Sequence, residues 1–145
     1  MSDIFAYDPS SVGSKGLVYL GNDILVYRRD TKTDLFPLYI DLPGGGPEGK
    51  ESPFGTFQRE VREEFGLEIS PERVVHSSAW PSSTQPGATG YFIVVKLPAE
   101  AAGDIVFGDE GLEYLIISPR EFLTRTDVWP VMRERAQAYF ESADA

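Results

Sequence analysis

The chain has 145 residues, 23 acidic against 13 basic side chains, a formal net charge of -10 and 41% hydrophobic residues. That length suits one domain, residues 1–145, with one core, and the acidic balance argues against a DNA, RNA or anionic-membrane surface. With no cysteine, disulfides and thiolate metal sites are excluded. The start MSDIFAYDPSSVGSKG shows no signal-peptide pattern and no stretch reaches the length of a membrane span, so the expectation is a soluble, cytoplasmic protein.

Beyond a polar, loose lead-in, GLVYLG (16–21) and DILVYRR (23–29) are β-branched and aromatic runs split by Gly21-Asn22-Asp23, which predicts a hairpin. FPLYIDLP (36–43) reads as a third strand ending at three consecutive glycines, Gly44 to Gly46. From Ser52 the period changes: Ser52 caps a helix with Pro53 at its first position, and Phe54, Phe57, Val61 and Phe65 recur at helical spacing toward a core. RVVHSSAW (73–80) and GYFIVVKLP (90–98) predict two strands around a turn-rich loop able to shape a pocket. DIVFGDEGLEYLIIS (104–118) predicts one or two more. Ser118-Pro119-Arg120-Glu121 resembles a capping box, and a last helix is expected near 128–142. This order of elements implies an α+β sandwich.

The chemistry concentrates on the first helix. Glu60 neighbours both Glu63 and Glu64 there, away from the phenylalanine stripe, and like charges at these spacings are destabilising without a counter-charge. Arg59 and Arg62 are too few to neutralise every local carboxylate. Clustered carboxylate oxygens plus a backbone carbonyl suit Mg²⁺ or Mn²⁺, and the glycine run permits the close backbone approach that supplies such a carbonyl. Metal beside glycine-rich backbone points to phosphate chemistry, with a carboxylate deprotonating a metal-bound water.

Gly45, five residues, Glu51, seven residues, Arg59-Glu60-Val61, Arg62, Glu63-Glu64, Phe65 and Gly66-Leu67 fill every specified position of the Nudix box, so the chain resembles the Nudix hydrolases. The resemblance implies an α/β/α sandwich with a mixed sheet, the box forming a loop, a helix and a second loop. It implies metal-dependent hydrolysis of a nucleoside diphosphate linked to another moiety, by water attack on phosphorus. By position, Glu60 and Glu64 would be the main metal ligands, Glu63 a further one, and the carbonyl of Gly44 or Gly45 another. Arg59 and Glu51 would hold the glutamates, and Gly66 would end the helix. For the general base, GDEGLEY (108–114) resembles the region that supplies a glutamate in the MutT-like branch, with Glu110 the candidate and Glu113 the reserve. A Nudix-fold module that binds nucleotides without turnover is the alternative reading. Many members are dimers, which extends to a homodimer here by analogy only.

Substrate contacts are expected from Trp80, Gly46 and Arg28. Ser77-Ser78-Ala79-Trp80-Pro81 partly resembles a motif of the NADH diphosphatases, matching in serine, tryptophan and proline, while Pro81 and Pro86 straddle the proline position of the ADP-ribose branch. Neither assigns a substrate. Trp80 is read as either a base-stacking or a packing residue, and His76, the single histidine, as structural.

Overall fold

The computed structural model describes residues 3–143. In chain order it contains β1 (Ser11–Leu20), β2 (Asp23–Arg29), β3 (Ile40–Asp41), β4 (Gly44–Gly45), α1 (Pro53–Phe65), β5 (Val74–Pro81), β6 (Thr89–Leu97), β7 (Gly111–Ile117), α2 (Pro119–Thr124) and α3 (Pro130–Ala143). Short 3-10 turns cover Pro71–Arg73 and Ala99–Asp104. The strands form one mixed sheet along the path β3-β2-β1-β6-β5, with β4 on β1 and β7 on β2. Only β1 and β6 run parallel among the named strand pairs.

The centre of this sheet is splayed. β1 and β2 pair only next to their turn, at Tyr19 with Ile24 and Leu20 with Asp23. Farther out β3 pairs with β2 and β4 with β1, so residues 40–45 fill the gap between the diverging strands. The glycine run is therefore carried at the middle of the sheet instead of on its rim.

Alternation along the strands feeds two cores. Val18, Leu20, Leu25, Ile93 and Val95 face the α1 stripe of Phe54, Phe57, Val61 and Phe65, all buried. Leu17, Ile24, Val26, Phe92 and Val94 face Trp129, Met132, Ala136 and Tyr139 at the start and along the inner side of α3. Helices on both faces of a mixed sheet make the α/β/α sandwich expected above.

Ser52 caps α1, its Oγ accepting from the Gly55 N–H at 3.0 Å, and Pro53 holds the first turn. Gly66 ends the helix at φ 68°, its N–H donating to the Arg62 carbonyl at 2.9 Å. Ser118 caps α2 in the same way through the Glu121 N–H.

Two expectations need correction, and a third resolves to its lower count. The lead-in is not loose: Ile4 is buried, its carbonyl accepts from the Phe54 N–H at 2.8 Å, and β1 begins at Ser11. This strand start lacks an apolar pattern because close backbone contacts replace side-chain packing. Ser14 is buried and donates to the Pro53 carbonyl, and a Cβ at Gly16 would lie 1.7 Å from the Ile93 carbonyl oxygen. Residues 36–43 are mostly loop, with Phe36 and Leu38 at positive φ (48° and 68°), and only Ile40–Asp41 joins the sheet. The 104–118 stretch yields a single strand, β7, after a connector whose Val106 and Gly108 N–H groups donate to the Phe65 and Glu64 carbonyls. No helix among the described residues is long and apolar enough to cross a membrane.

Candidate active site

That connector decides the geometry. By satisfying carbonyls at the end of α1, residues 106–108 swing the following turn back over the helix. One carboxylate oxygen each of Glu60, Glu64 and Glu110 then lie within 4.8 Å of one another. Glu60 and Glu64 are one helical turn apart and share a face of α1, whereas Glu110 arrives from the turn before β7.

Glu64 is the most perturbed member. It is 5% exposed, and its Oε1 is buried without a hydrogen-bond partner. Burial first, and then the neighbouring Glu60 carboxylate, push its pKa up to about 9, with Lys15 pulling the other way. Burial and the charges of Glu60, Glu63 and Asp109 also raise the pKa of Glu110. A carboxyl with a buried, unpartnered oxygen grouped with two more carboxylates is a donor set suited to a hard divalent cation. Glu60, Glu64 and Glu110 are thus the residues able to hold one.

The loop backbone closes on the same point. A Cβ at Gly45 would lie 2.6 Å from the Glu60 carboxyl carbon, so a residue without a side chain is required there. Gly44 adopts φ 132° and packs against Ser14 and Lys15 of β1.

Arg59 organises the rim. It grips Glu51 with two nitrogens, Nε at 2.7 Å and Nη2 at 3.1 Å, while Nη1 donates to Glu60 at 2.8 Å and Glu63 at 3.1 Å and Nη2 to the Gly46 carbonyl at 2.8 Å. The bond from Arg59 holds the Glu51 carboxyl below its usual pKa, and Glu51 also accepts from the Glu48 N–H and the Thr56 hydroxyl. One guanidinium thus ties loop to helix and orients Glu60. Glu63 stands apart from the triple: its side chain is half-exposed and turned to Arg59.

Other candidates lie elsewhere. Arg28 and the reserve base Glu113 are cross-strand partners, bonded to each other at 2.6 Å, and Arg28 also donates to the Leu38 carbonyl and Asp127. Neither belongs to the carboxylate triple. Trp80 donates to Ser78 Oγ, carries the Arg135 guanidinium 5.7 Å from its ring centre, and lines an outer cleft with Pro130, Arg133 and Glu134. Gly46 lines a different cavity of about 210 Å³ and also accepts from Arg59. His76 packs on the Tyr139 ring, its pKa lowered by burial.

A buried ionic cluster under the site is absent from the expectations. Asp41 is fully buried and accepts from Lys15 at 2.9 Å, Arg29 at 2.6 Å and the Tyr27 hydroxyl at 3.2 Å. Burial opposes the Lys15 charge, but Asp41, Tyr27 and Glu64 outweigh it and keep its pKa above the usual lysine value. Its signal was an aspartate inside the apolar run LYIDLP and a lysine inside a strand.

A family model, the NUDIX domain, matches residues 13–139, and the chain belongs to the Nudix family. No curated protein matches it in sequence. Among solved structures, the MutT protein from Methanosarcina mazei superimposes with a TM-score of 0.75 at 21% identity, over 93% of this chain and 96% of that one. A Caenorhabditis elegans Ap4A hydrolase gives 0.69 at 13% identity over 91% and 98%. A Francisella tularensis bifunctional NMN adenylyltransferase/ADP ribose pyrophosphatase, complexed with AMP and a manganese ion, gives 0.71 at 16% identity over 94% of this chain and 42% of that one. These likenesses establish the fold.

Proposed function

We propose that the chain is a divalent-metal-dependent diphosphatase that cleaves the phosphoanhydride of a nucleoside diphosphate linked to a second moiety. The observation that carries this reading is the buried, unpartnered Oε1 of Glu64 within the Glu60, Glu64 and Glu110 triple. Mg²⁺ or Mn²⁺ bound there would neutralise the diphosphate and acidify a water.

The chain's own residues do the rest. Glu60 and Glu64 anchor the site on one helical face, and the Gly45 backbone lies against Glu60. Arg59 and Glu51 keep Glu60 from turning to solvent. Glu110, on a turn and with a raised pKa, is the candidate base that takes the proton from the attacking water as its oxygen bonds to phosphorus. The bond from that phosphorus to the bridging oxygen then breaks, releasing two phosphate-ended products. Glu63, held by Arg59, would act on the metal through water.

The experiment is a panel of nucleoside triphosphates, ADP-ribose, NADH, nucleotide sugars and dinucleoside polyphosphates with Mg²⁺ or Mn²⁺, products being resolved by mass. Glu64→Gln is expected to lower kcat/KM on the active substrate by more than the roughly 10- to 100-fold that loss of an outer-shell partner costs. Unchanged turnover in that variant overturns the metal assignment.

A further inference from the structure

α3 presents Met132, Arg135, Ala136 and Tyr139 to the sheet, so an arginine occupies a core-facing position. Arg135 is 8% exposed and forms no ion pair with any described residue. Among the described residues its one hydrogen bond is a 3.3 Å contact from Nη2 to the Pro81 carbonyl. The guanidinium is seated on β6 where a Cβ at Gly90 would lie 3.1 Å from Nη1, and it faces the Trp80 ring. Burial depresses its pKa. Burying a guanidinium without a carboxylate is costly, so a further acceptor is to be sought.

The cavity of about 210 Å³ is where Arg135 finds it. This cavity shares Gly45 with the carboxylate triple and has no aspartate or glutamate in its wall, although the chain carries 23 acidic residues. Lys15 in the same wall is ion-paired with Asp41, which Arg29 shares, whereas Arg135 has no ion pair among the described residues. Tyr91, Trp129, Met132 and Leu35 make the remaining surface largely apolar and aromatic. A free phosphate would meet one guanidinium and a poorly solvating wall, whereas a flat ring would bury its faces and give its oxygens to the donors. The volume suits one ring system rather than a whole nucleoside.

Resting on the proposed diphosphatase reading, we infer that Arg135 is the specificity-determining residue for a nucleobase-sized ring with an exocyclic oxygen acceptor. A guanidinium fork matches the O6 and N7 acceptors of guanine and can converge on the single O4 of uracil, while an amino group at that edge sets donor against donor.

The test is titration of the full chain, without metal and in EDTA, with GMP, UMP and AMP, followed by tryptophan fluorescence. Because no diphosphate is cleaved, the outcome is independent of turnover. The wild type is expected to bind GMP and UMP about tenfold tighter than AMP. Arg135→Met, which keeps the length of the side chain, is expected to bring the three within about twofold by weakening GMP and UMP alone. Thermal unfolding checks that this variant folds. Should it not, Arg135→Lys keeps the charge, loses the fork and is expected to weaken GMP while sparing AMP, read by the same fluorescence titration. Equal wild-type affinities, no saturable binding of GMP and UMP, or an equal loss for all three ligands in a folded variant overturns the inference. Absence of Mg²⁺-dependent hydrolysis across the substrate panel would instead sink the diphosphatase reading and leave these titrations standing.

Discussion

Gly45 shows how a single atom governs this site. Its two roles, pairing in β4 and lying against Glu60, leave no room for a methyl group, since a Cβ there would sit 2.6 Å from the Glu60 carboxyl carbon. Gly45→Ala is therefore expected to push Glu60 off the triple without opening a core cavity. Displacement of a catalytic group by about an ångström costs on the order of 100-fold in rate. Kinetics of Gly45→Ala should show that loss in kcat with little change in Tm, and wild-type kcat would refute it. The need for glycine at this point was legible, because a run of three has an entropic cost that needs a reason. Which glycine touches which glutamate was not, because that contact depends on a loop and a helix meeting across the sheet.

At the scale of the element, α1 carries both the core stripe and the carboxylates, and both were readable from its periodicity. Glu110 was reachable only by likeness to a motif. What places it is the pair of N–H groups at 106–108 that satisfy the end of α1, a tertiary arrangement with no local signature. The crowding on α1 has a measurable pH signature. A carboxyl whose pKa rises from its ordinary value of 4.5 to about 9 on folding is easiest to bury while protonated. Its contribution is thus fully present below about pH 4.5 and is lost as pH climbs through about 9. In EDTA, the Tm difference between wild type and Glu64→Gln should widen in favour of the variant from pH 5 to pH 9. Mg²⁺ should close much of that gap at the alkaline end by binding only the folded wild type well. A difference independent of pH would show that Glu64 does not titrate in this range.

For the molecule as a whole, the two-faced sandwich was legible because strand alternation and helical spacing each mark one side. The splayed centre of the sheet was not. FPLYIDLP has the composition of a strand, yet the chain turns at Phe36 and Leu38, with the Leu38 N–H donating to the Arg29 carbonyl, and pairs only at Ile40–Asp41. Tyr39 helps close this turn by accepting from the Arg29 N–H. Arg135 was missed for a related reason: its meaning lies in its burial without an ion pair among the described residues, which no spacing reveals. Asp41 holds the splayed region together, because one carboxylate on β3 accepts from Lys15 of β1 and from Tyr27 and Arg29 of β2. Asp41→Asn keeps the shape but leaves two buried cations facing each other without their anion. Breaking a buried pair by removing one partner costs roughly 3–5 kcal/mol, and here the loss falls where β1, β2 and β3 meet. Urea unfolding of Asp41→Asn is expected to show destabilisation of about 3 kcal/mol, the low end because Lys15 and Arg29 keep some solvent access, with side-chain exposures of 19% and 15%. Arg29→Met, which removes one cation and leaves Lys15 to match Asp41, should cost less than Asp41→Asn. Equal losses in the two variants would mean that the charges are not what joins these strands.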